Sequence, residues 1–519
     1  MQLVIPMSGI GKRFLEKGYS LPKPLISISG KPMVQHVVEM FPGIEEVLFI
    51  VNRDHFQNFE LKLESKLNSL VPGCKIAVIE PHKLGPAWAI AQARDDINIE
   101  DPVVVNYCDF ACTWDFEAFR EELNSGVDGL IATYSGFHPH MLENTKYAYL
   151  KLDKHGFLTE IQEKLSFTDT PMNEPASSGT YGFKHGRVLL EAVDSQIEQG
   201  HSFNAEFYSS LTYKSMLEKG MRIRNFEIQE FFQWGNPEDF EEFKKQKDFF
   251  KFQRESRRCS STPDRIEVLA AGAGQRFTDA GYKTLKPFLP LGTSFLAIQA
   301  LNALSSNETS RGLLLQNNFE VPKEFEDNLY EDNIEVSTVD GLTTGQAASA
   351  ITSLGRLASD NCIIATCDSL LFPKQGEDFA RIKGKMIGVW VASPSAYALS
   401  NPKQFGWIVT GKQHEVLETW VKEVPDDPAS ALVITGTFIF GDSHESIELI
   451  ENFLKSPSRV NGEFYLDSVL SFAGKNGWKV VALQPEWFIS LGTPAEYETY
   501  LYWETVFGKR LDLLKSDED

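Results

Sequence analysis

The sequence predicts an α/β protein built as two tandem domains, each with a mostly parallel sheet. Three observations lead there. Short apolar runs alternate with helical segments from the first residues onward. A glycine-rich, cationic loop comes after the first apolar run. That loop occurs twice, and so does most of the half-chain downstream of it.

The first loop, MSGIGKRFLEKGYSLPKPL (Met7 to Leu25), follows the run Leu3 to Pro6; the second, AAGAGQRFTDAGYKTLKPF (Ala270 to Phe288), follows Ile266 to Leu269. Gly9, Gly11, Arg13, Phe14, Gly18, Tyr19, Lys23 and Pro24 recur as Gly272, Gly274, Arg276, Phe277, Gly281, Tyr282, Lys286 and Pro287. Further along, Gly85 matches Gly345, Asp109 matches Asp368, Glu206 matches Glu463 and Gly235 matches Gly492. Order is kept while the spacing between partners shrinks slowly, the pattern of a tandem duplication with small deletions. The expected boundaries are 1–248 and 264–510, with a Ser/Thr/Pro-containing linker at 249–263 and a solvated tail at 511–519.

In the first copy, strands are expected at Leu3 to Pro6, Glu46 to Val51, Lys75 to Glu80 and Pro102 to Tyr107. Helices are expected at Pro32 to Phe41, Asp54 to Leu70 and Pro86 to Asp95, the last opened by a proline at a permissive first-turn position. From Asp128 the pattern shifts to short β-like runs (LIATYS, YAYLKLD, FLTEIQEK, SSGTYGF), then a helix at Val188 to Glu198. A second helix is expected within FNAEFYSSLTYKSMLEKG, closed by Gly220, and a strand at Arg222 to Ile228. The second copy repeats this course.

Composition narrows the function. A formal net charge of −22 argues against general nucleic-acid binding, which wants a basic face. A phosphate site needs only local cations. The six cysteines form no CxxC pair, which argues against structural zinc. No apolar run approaches membrane-spanning length, and a cytoplasmic location without membrane association is expected.

The loop chemistry suits a polyphosphate. Gly9 and Gly11 let backbone N–H groups approach an anion, and Lys12, Arg13 and Lys23 supply charge. Two common phosphate loops are excluded. A dinucleotide fingerprint needs a third glycine where Phe14 and Phe277 stand. A Walker A loop needs wider spacing and Ser or Thr after its Gly-Lys pair.

The ordered motif set resembles that of the sugar-1-phosphate nucleotidyltransferases, or nucleotide-sugar pyrophosphorylases. The first copy carries Gly9-Ile10-Gly11-Lys12-Arg13-Phe14, Pro22-Lys23-Pro24-Leu25, Asp109, Glu163-Lys164, Gly179-Thr180-Tyr181-Gly182-Phe183 and Gly235-Asn236-Pro237. The second carries Gly272-Ala273-Gly274-Gln275-Arg276-Phe277, Lys286-Pro287, Asp368, Gly436-Thr437-Phe438-Ile439-Phe440 and Gly492-Thr493-Pro494. The resemblance implies two GT-A-like (Rossmann-like) domains with mixed, mostly parallel sheets. It implies transfer of a nucleoside monophosphate from an NTP to a sugar 1-phosphate, or a related phosphorylated alcohol, with release of pyrophosphate. It implies Mg2+ as cofactor, surface (capsular) polysaccharide precursors as the destination, and two copies packed as a pseudo-dimer. By the same resemblance Arg13, Lys23, Asp109 and Lys164 are catalytic. Gly9, Gly11, Lys12 and Gly85 hold the nucleotide, Gly179 and Glu206 the sugar, and Asp109 and Asp368 the metal. The second-copy set is Gly272, Gly274, Arg276, Lys286, Gly345, Asp368, Lys422 and Glu463.

This chain departs from the family pattern where a second metal-binding Asp is expected: Gln233 and Ser490 stand there, with Glu230 and Glu486 the nearby carboxylates. In the second copy Gln275 replaces Lys12, Leu285 replaces Pro22, and Lys422-Glu423 reverses the Glu-Lys pair. A non-catalytic pair that binds nucleotide sugars is the competing expectation.

Overall fold

A computed structural model describes all residues except 59, 143–144, 256–262, 306–308, 356–360, 375–378, 395–397, 400 and 516–519. It separates into two compact units, Met1–Lys251 with Tyr502–Asp519, and Phe252–Leu501.

The first unit is built on a nine-stranded sheet. Its main path runs Leu158–Glu163, Ala148–Leu152, Ala176–Phe183, Val103–Asn106, Gln2–Pro6, Glu46–Asn52 and Lys75–Ile79. Gly129–Tyr134 pairs with Ala176–Phe183, and Ile223–Glu227 lies parallel to it. The strands around Gln2–Pro6 are parallel and, apart from the edge strand Lys75–Ile79, buried, as expected for apolar runs connected by helices. The half built on Ala176–Phe183 has antiparallel neighbours. The sheet is therefore mixed, and its parallel character belongs to the half where the glycine-rich loop emerges.

The second unit repeats this plan strand for strand. Its path is Glu335–Val339, Ser310–Gln316, Arg265–Leu269, Cys362–Thr366, Leu432–Phe440, Met386–Ala392 and Lys479–Leu483. Gly406–Thr410 pairs with Leu432–Phe440 and carries Val416–Val421. Each unit also has a two-stranded ribbon, Phe110–Thr113 with Glu230–Gln233 and Ser369–Phe372 with Trp487–Ser490. Shared topology is the structural counterpart of the internal repeat.

Several local expectations are corrected. The helix expected over 54–70 is two helices, Arg53–Gln57 and Leu63–Leu70. Asn52 caps the first by accepting the His55 N–H at 2.8 Å, and Lys62 before the second is left-handed (φ 47°). The segment from Phe203 does not begin as a helix. Phe203 and Glu206 close a tight turn with Asn204 and Ala205 at positive φ, and the helix proper is Thr212–Glu218. The structural units also differ from the expected boundaries. A helix runs over Pro237–Arg254, and residues 502–515 join the first unit. Trp503 and Phe507 pack on Phe243, each with ring centres 5.8 Å away, and Leu513 is fully buried. Residues 502–510, expected in the second copy, are thus held in the first unit by aromatic burial, and Leu513 and Leu514 are buried where a solvated tail was expected at 511–519. Residues 256–262 of the expected linker, with Cys259, lie outside the described residues.

Candidate active site

The first unit's loop is shaped by its glycines and anchored by an aromatic residue. Gly11 adopts φ +69° and starts the short helix Lys12–Glu16. Phe14 on that helix is buried against Tyr19 and Phe240, at 5.3 and 6.1 Å between ring centres. This anchor leaves Arg13 free to turn inward, where its guanidinium donates to the Gly235 carbonyl at 3.4 Å. Lys23 opens the turn Lys23–Leu25 and its Nζ meets Asp109 Oδ2 at 2.6 Å. Burial alone would lower the Lys23 pKa, but Asp109 outweighs it and the ammonium is held above its ordinary range.

Asp109 follows the strand Val103–Asn106, at the carboxyl end of the sheet where ligands of such folds bind. Its carbonyl accepts the Trp234 N–H at 3.0 Å, which draws the Gln233–Gly235 segment alongside. A Cβ on Gly235 would lie 2.7 Å from Gln233 Nε2 and 3.1 Å from Asp109 Oδ2, so both side chains crowd that glycine. The cavity here measures about 620 Å³. Gly9, Gly11, Lys12, Arg13, Lys23, Gly85, Asp109 and Glu206 all line it. Their separation in sequence and convergence in space are what a ligand site requires.

Gly85 is fixed to the turn that carries Glu206. Phe207 donates its N–H to the Leu84 carbonyl at 2.8 Å and accepts from Ala87 at 2.9 Å. A Cβ on Gly85, at φ +89°, would meet the Phe207 backbone at 2.7 Å. Lys164 is not among the lining residues but contacts Tyr208, which is. Its backbone is left-handed (φ 56°), its Nζ donates to the Tyr208 hydroxyl at 2.6 Å, and it lies 4.4 Å above that ring. Beside it Glu163 is buried and accepts from Ser210 Oγ at 2.6 Å; burial pushes its carboxyl up to about 7, against the pull of Ser210 and Lys164. Gly179 is elsewhere: it is a buried glycine at φ +105° packed beneath the Phe110 and Tyr107 rings, and it is not among the lining residues.

Sequence reasoning missed Tyr107, Tyr208, His82 and Lys83, which also line the cavity. Tyr208 had a readable signal, because Glu206-Phe207-Tyr208 recurs as Glu463-Phe464-Tyr465. Trp114 and Asp115 are structural. Asp115 caps Phe116–Asn124 and Trp114 packs among Phe41, Phe116 and Phe119.

In the second unit Lys286 meets Asp368 at 2.8 Å. Burial would raise the Asp368 carboxyl, but Lys286 overrides it and holds it down at about 2. Gly274 repeats the left-handed conformation of Gly11 at φ +62°. Gly345 lies against the Phe464 backbone as Gly85 does against Phe207. Val460 and Glu463 close the same turn as Phe203 and Glu206. A smaller cavity, about 170 Å³, is lined by Arg276, Asp368 and Lys422 among others. Gly272, Gly274, Lys286, Gly345 and Glu463 are not among its lining residues. The reading of Lys422-Glu423 as a reversed pair is corrected. Lys422 occupies the Lys164 position, with the same left-handed backbone (φ 58°) and a tyrosine, Tyr465, beneath its ammonium at 5.5 Å. Val421, not Glu423, therefore stands where Glu163 does.

Neither nearby glutamate replaces the missing aspartate. Glu230 pairs across the ribbon with Thr113 and its carboxylate meets Lys509, whereas Gln233 at the other end faces Phe110. Glu486 sits at the matching far end, donating its N–H to the Phe372 carbonyl. Among the described residues no group of three or more His, Cys, Asp or Glu side chains is arranged to hold a metal.

Residues 3–247 match the family described as nucleotidyl transferase. The chain is 32% identical over 105 residues to mannose-1-phosphate guanylyltransferase 1 of Arabidopsis thaliana, covering 19% of this chain and 27% of that protein. It is 30% identical over 121 residues to UTP–glucose-1-phosphate uridylyltransferase 2 of Streptococcus pyogenes, covering 20% of this chain and 40% of that protein. The alignments thus span well under half of these relatives. Among solved structures, a nucleoside-diphosphate-sugar pyrophosphorylase from Vibrio cholerae is similar at 21% identity and TM-score 0.39, covering 46% of this chain and 98% of that one. Residues 3–247 of this chain belong to the nucleotidyl transferase family.

Proposed function

We propose that the protein transfers a nucleoside monophosphate from an NTP to a sugar 1-phosphate, or a related phosphorylated alcohol, and releases pyrophosphate. The observation that carries this is the first unit's cavity, where Gly9, Gly11, Arg13, Lys23, Gly85 and Asp109 converge. The acceptor phosphate oxygen attacks the α-phosphorus in line and pyrophosphate leaves. The chain's work is to align two anions and neutralise the charge that develops on the leaving group. Arg13 and Lys23 face the phosphates, Lys164 meets the acceptor phosphate, and Glu206 takes acceptor hydroxyls. Gly85 lets the base approach the backbone. The sugar-phosphate nucleotidyltransferases that this chain resembles support the reaction class.

The donor set fits magnesium held largely by substrate phosphates: one carboxylate, Asp109, with the Gln233 amide beside it and all-oxygen ligands available. Asp109 would hold the ion, with Asp368 in the equivalent position of the second unit. When bound, the ion offsets negative charge on the phosphates. With Asp109 holding the ion, Lys23 would be free to meet a phosphate oxygen. We place the reaction in the cytoplasm and its product in surface polysaccharide synthesis. Among the described residues no helix is long and apolar enough to cross a membrane.

The test is pyrophosphate release with Mg2+ across four NTPs and a pool of phosphorylated sugars and alditols, using wild type, Arg13→Ala and Arg276→Ala. Loss confined to Arg13→Ala places turnover in the first unit. Partial loss in each variant, with different substrates, assigns an activity to both. Nucleotide binding without release in any combination favours the competing reading, a non-catalytic binding protein, which the absence of an anionic residue at Gln233 and Ser490 supports.

A further inference from the structure

The two units keep a carboxylate beside the same lysine, Glu163 buried and Asp467 half-buried, but they supply it from opposite sides. In the first unit Glu163 stands across from Ala148 in the antiparallel pairing, and its carboxylate reaches Ser210. In the second unit those positions are Val421, Gly406 and Asp467. Val421 stands across from Gly406, and Asp467 follows Tyr465 by two residues as Ser210 follows Tyr208. The acid has moved from the strand to the first turn of the helix Leu466–Lys475. Gly406 is what makes the move feasible: a Cβ there would lie 2.1 Å from Asp467 Oδ2, so the alanine of the first unit would collide with it. Three differences are thus one coupled change that preserves a carboxylate.

The moved carboxylate is not used up within the chain. Among the described residues it accepts no hydrogen bond from another residue's side chain, whereas Glu163 is satisfied by Ser210. Asp467 lines the second unit's cavity with Arg276 and Lys422. Lys422 and Asp467 feel each other's charge without being joined by a hydrogen bond. An acceptor-only group and two cations therefore face one small space.

We propose that the second unit binds a phosphomonoester of a polyhydroxy compound, with its phosphate toward Arg276 and Lys422 and a hydroxyl donating to Asp467. The choice of ligand class rests on the phosphate-directed reading of the first unit, but not on any turnover there. A mere packing role would not call for an acid at a position whose partner strand must give up its Cβ.

Titration calorimetry on the full-length Arg13→Ala/Lys23→Ala/Lys164→Ala protein tests this, with glucose 1-phosphate, ribitol 5-phosphate and inorganic phosphate as probes. At least one phosphorylated polyol is expected to bind saturably. Asp467→Asn is expected to weaken it by roughly tenfold, because a charge-assisted hydrogen bond is lost. Inorganic phosphate, which has no hydroxyl chain to offer, is expected to bind Asp467→Asn as well as or better than the parent. Val421→Glu combined with Asp467→Ser, the arrangement of the first unit, is expected to restore polyol binding. The proposal is overturned by no saturable polyol binding, by unchanged polyol affinity in Asp467→Asn, by equal weakening toward inorganic phosphate, or by failure of the double variant to restore binding. Because this parent lacks Arg13, Lys23 and Lys164, the cations assigned to the reacting phosphates in the first unit, the result is independent of turnover, and absence of pyrophosphate release in wild type would count only against the proposed function.

Discussion

Lys23 Nζ lies 2.6 Å from Asp109 Oδ2, and Lys286 repeats the contact with Asp368 at 2.8 Å. Each pair joins the cationic loop to the residue just before the first ribbon strand, so it fixes the loop lysine and the acid in one geometry. Lys23→Met is expected to lower pyrophosphate release by roughly 10²-fold, the scale seen on removing one preorganised charge stabiliser. Its counterpart has a consequence for acid stability. Lys286 holds the Asp368 carboxyl at about 2, below its ordinary value of 3.8. Stability from that pair is therefore present above pH 4 and is lost as pH falls toward 2. Lys286→Met is expected to shift acid unfolding of the second unit to higher pH, read by circular dichroism across pH 2–4.

Glu163 gives the opposite sign. Its carboxyl is raised to about 7 from an ordinary 4.5, chiefly by burial. The folded chain then binds a proton more tightly than the unfolded chain, and stability declines as pH rises from about 4.5 to 7. A shift of this size corresponds to roughly 3 kcal/mol at neutral pH. Glu163→Gln is expected to remove most of that decline, so its melting temperature relative to wild type should rise between pH 5 and 8. Parallel pH profiles of the two proteins would refute the assignment.

Tyr208 positions Lys164 through a 2.6 Å hydrogen bond and a ring 4.4 Å below the ammonium. Tyr208→Phe keeps the ring and removes the hydroxyl. The expected result is a rise in KM for the acceptor of roughly tenfold, the scale of one charge-assisted hydrogen bond. The KM for the NTP should change little. Lys164→Met should cost more than Tyr208→Phe toward the same substrate, and equal effects on both substrates would argue against an acceptor-side role.

Gly85 is required by conformation and by contact. Its φ is +89°, and a Cβ would meet the Phe207 backbone oxygen at 2.7 Å and nitrogen at 2.8 Å. Neither neighbour is a side chain that can swing away. Gly85→Ala is expected to destabilise the first unit by about 2–4 kcal/mol, measured by denaturant unfolding. Gly345→Ala should act similarly on the second unit, where Phe464 closes to 2.5 Å.

Much of this was legible because the chain states it twice. Gly9 to Lys23 and Gly272 to Lys286 expose the loop as a unit, and alternation of apolar runs with helical segments exposes the parallel half of each sheet. What stayed hidden depends on cross-strand register and on turns. Glu206 reads as an early helical residue until Asn204 and Ala205 are seen at positive φ. Lys422-Glu423 reads as a reversed motif because pairing alone shows that Val421, opposite Gly406, holds the place of Glu163. The aromatic residues Trp503 and Phe507 carry no local sign of the unit they join, since burial against Phe243 is set by contacts far apart in sequence.

Gln233 supplies the last test. It crowds Gly235 together with Asp109, at the position where a second acid would complete a two-carboxylate metal site. An amide oxygen can take part in magnesium coordination but adds no charge, so a single acid, itself engaged by Lys23, must compete for the ion. Gln233→Asp places a second negative charge beside Asp109. Without a cation the two acids repel, and the variant is expected to melt below wild type in EDTA. With Mg2+ that repulsion becomes attraction to the ion, so its melting temperature should rise more steeply with Mg2+ than wild type. The half-saturating Mg2+ concentration for pyrophosphate release should fall by at least roughly tenfold, since one added charge about 4 Å from a divalent ion is worth about 2 kcal/mol even at the dielectric of water. A variant with no greater response to Mg2+ than wild type would show that residue 233 does not face the ion. Asp109 would then be left as the first unit's single acidic contribution.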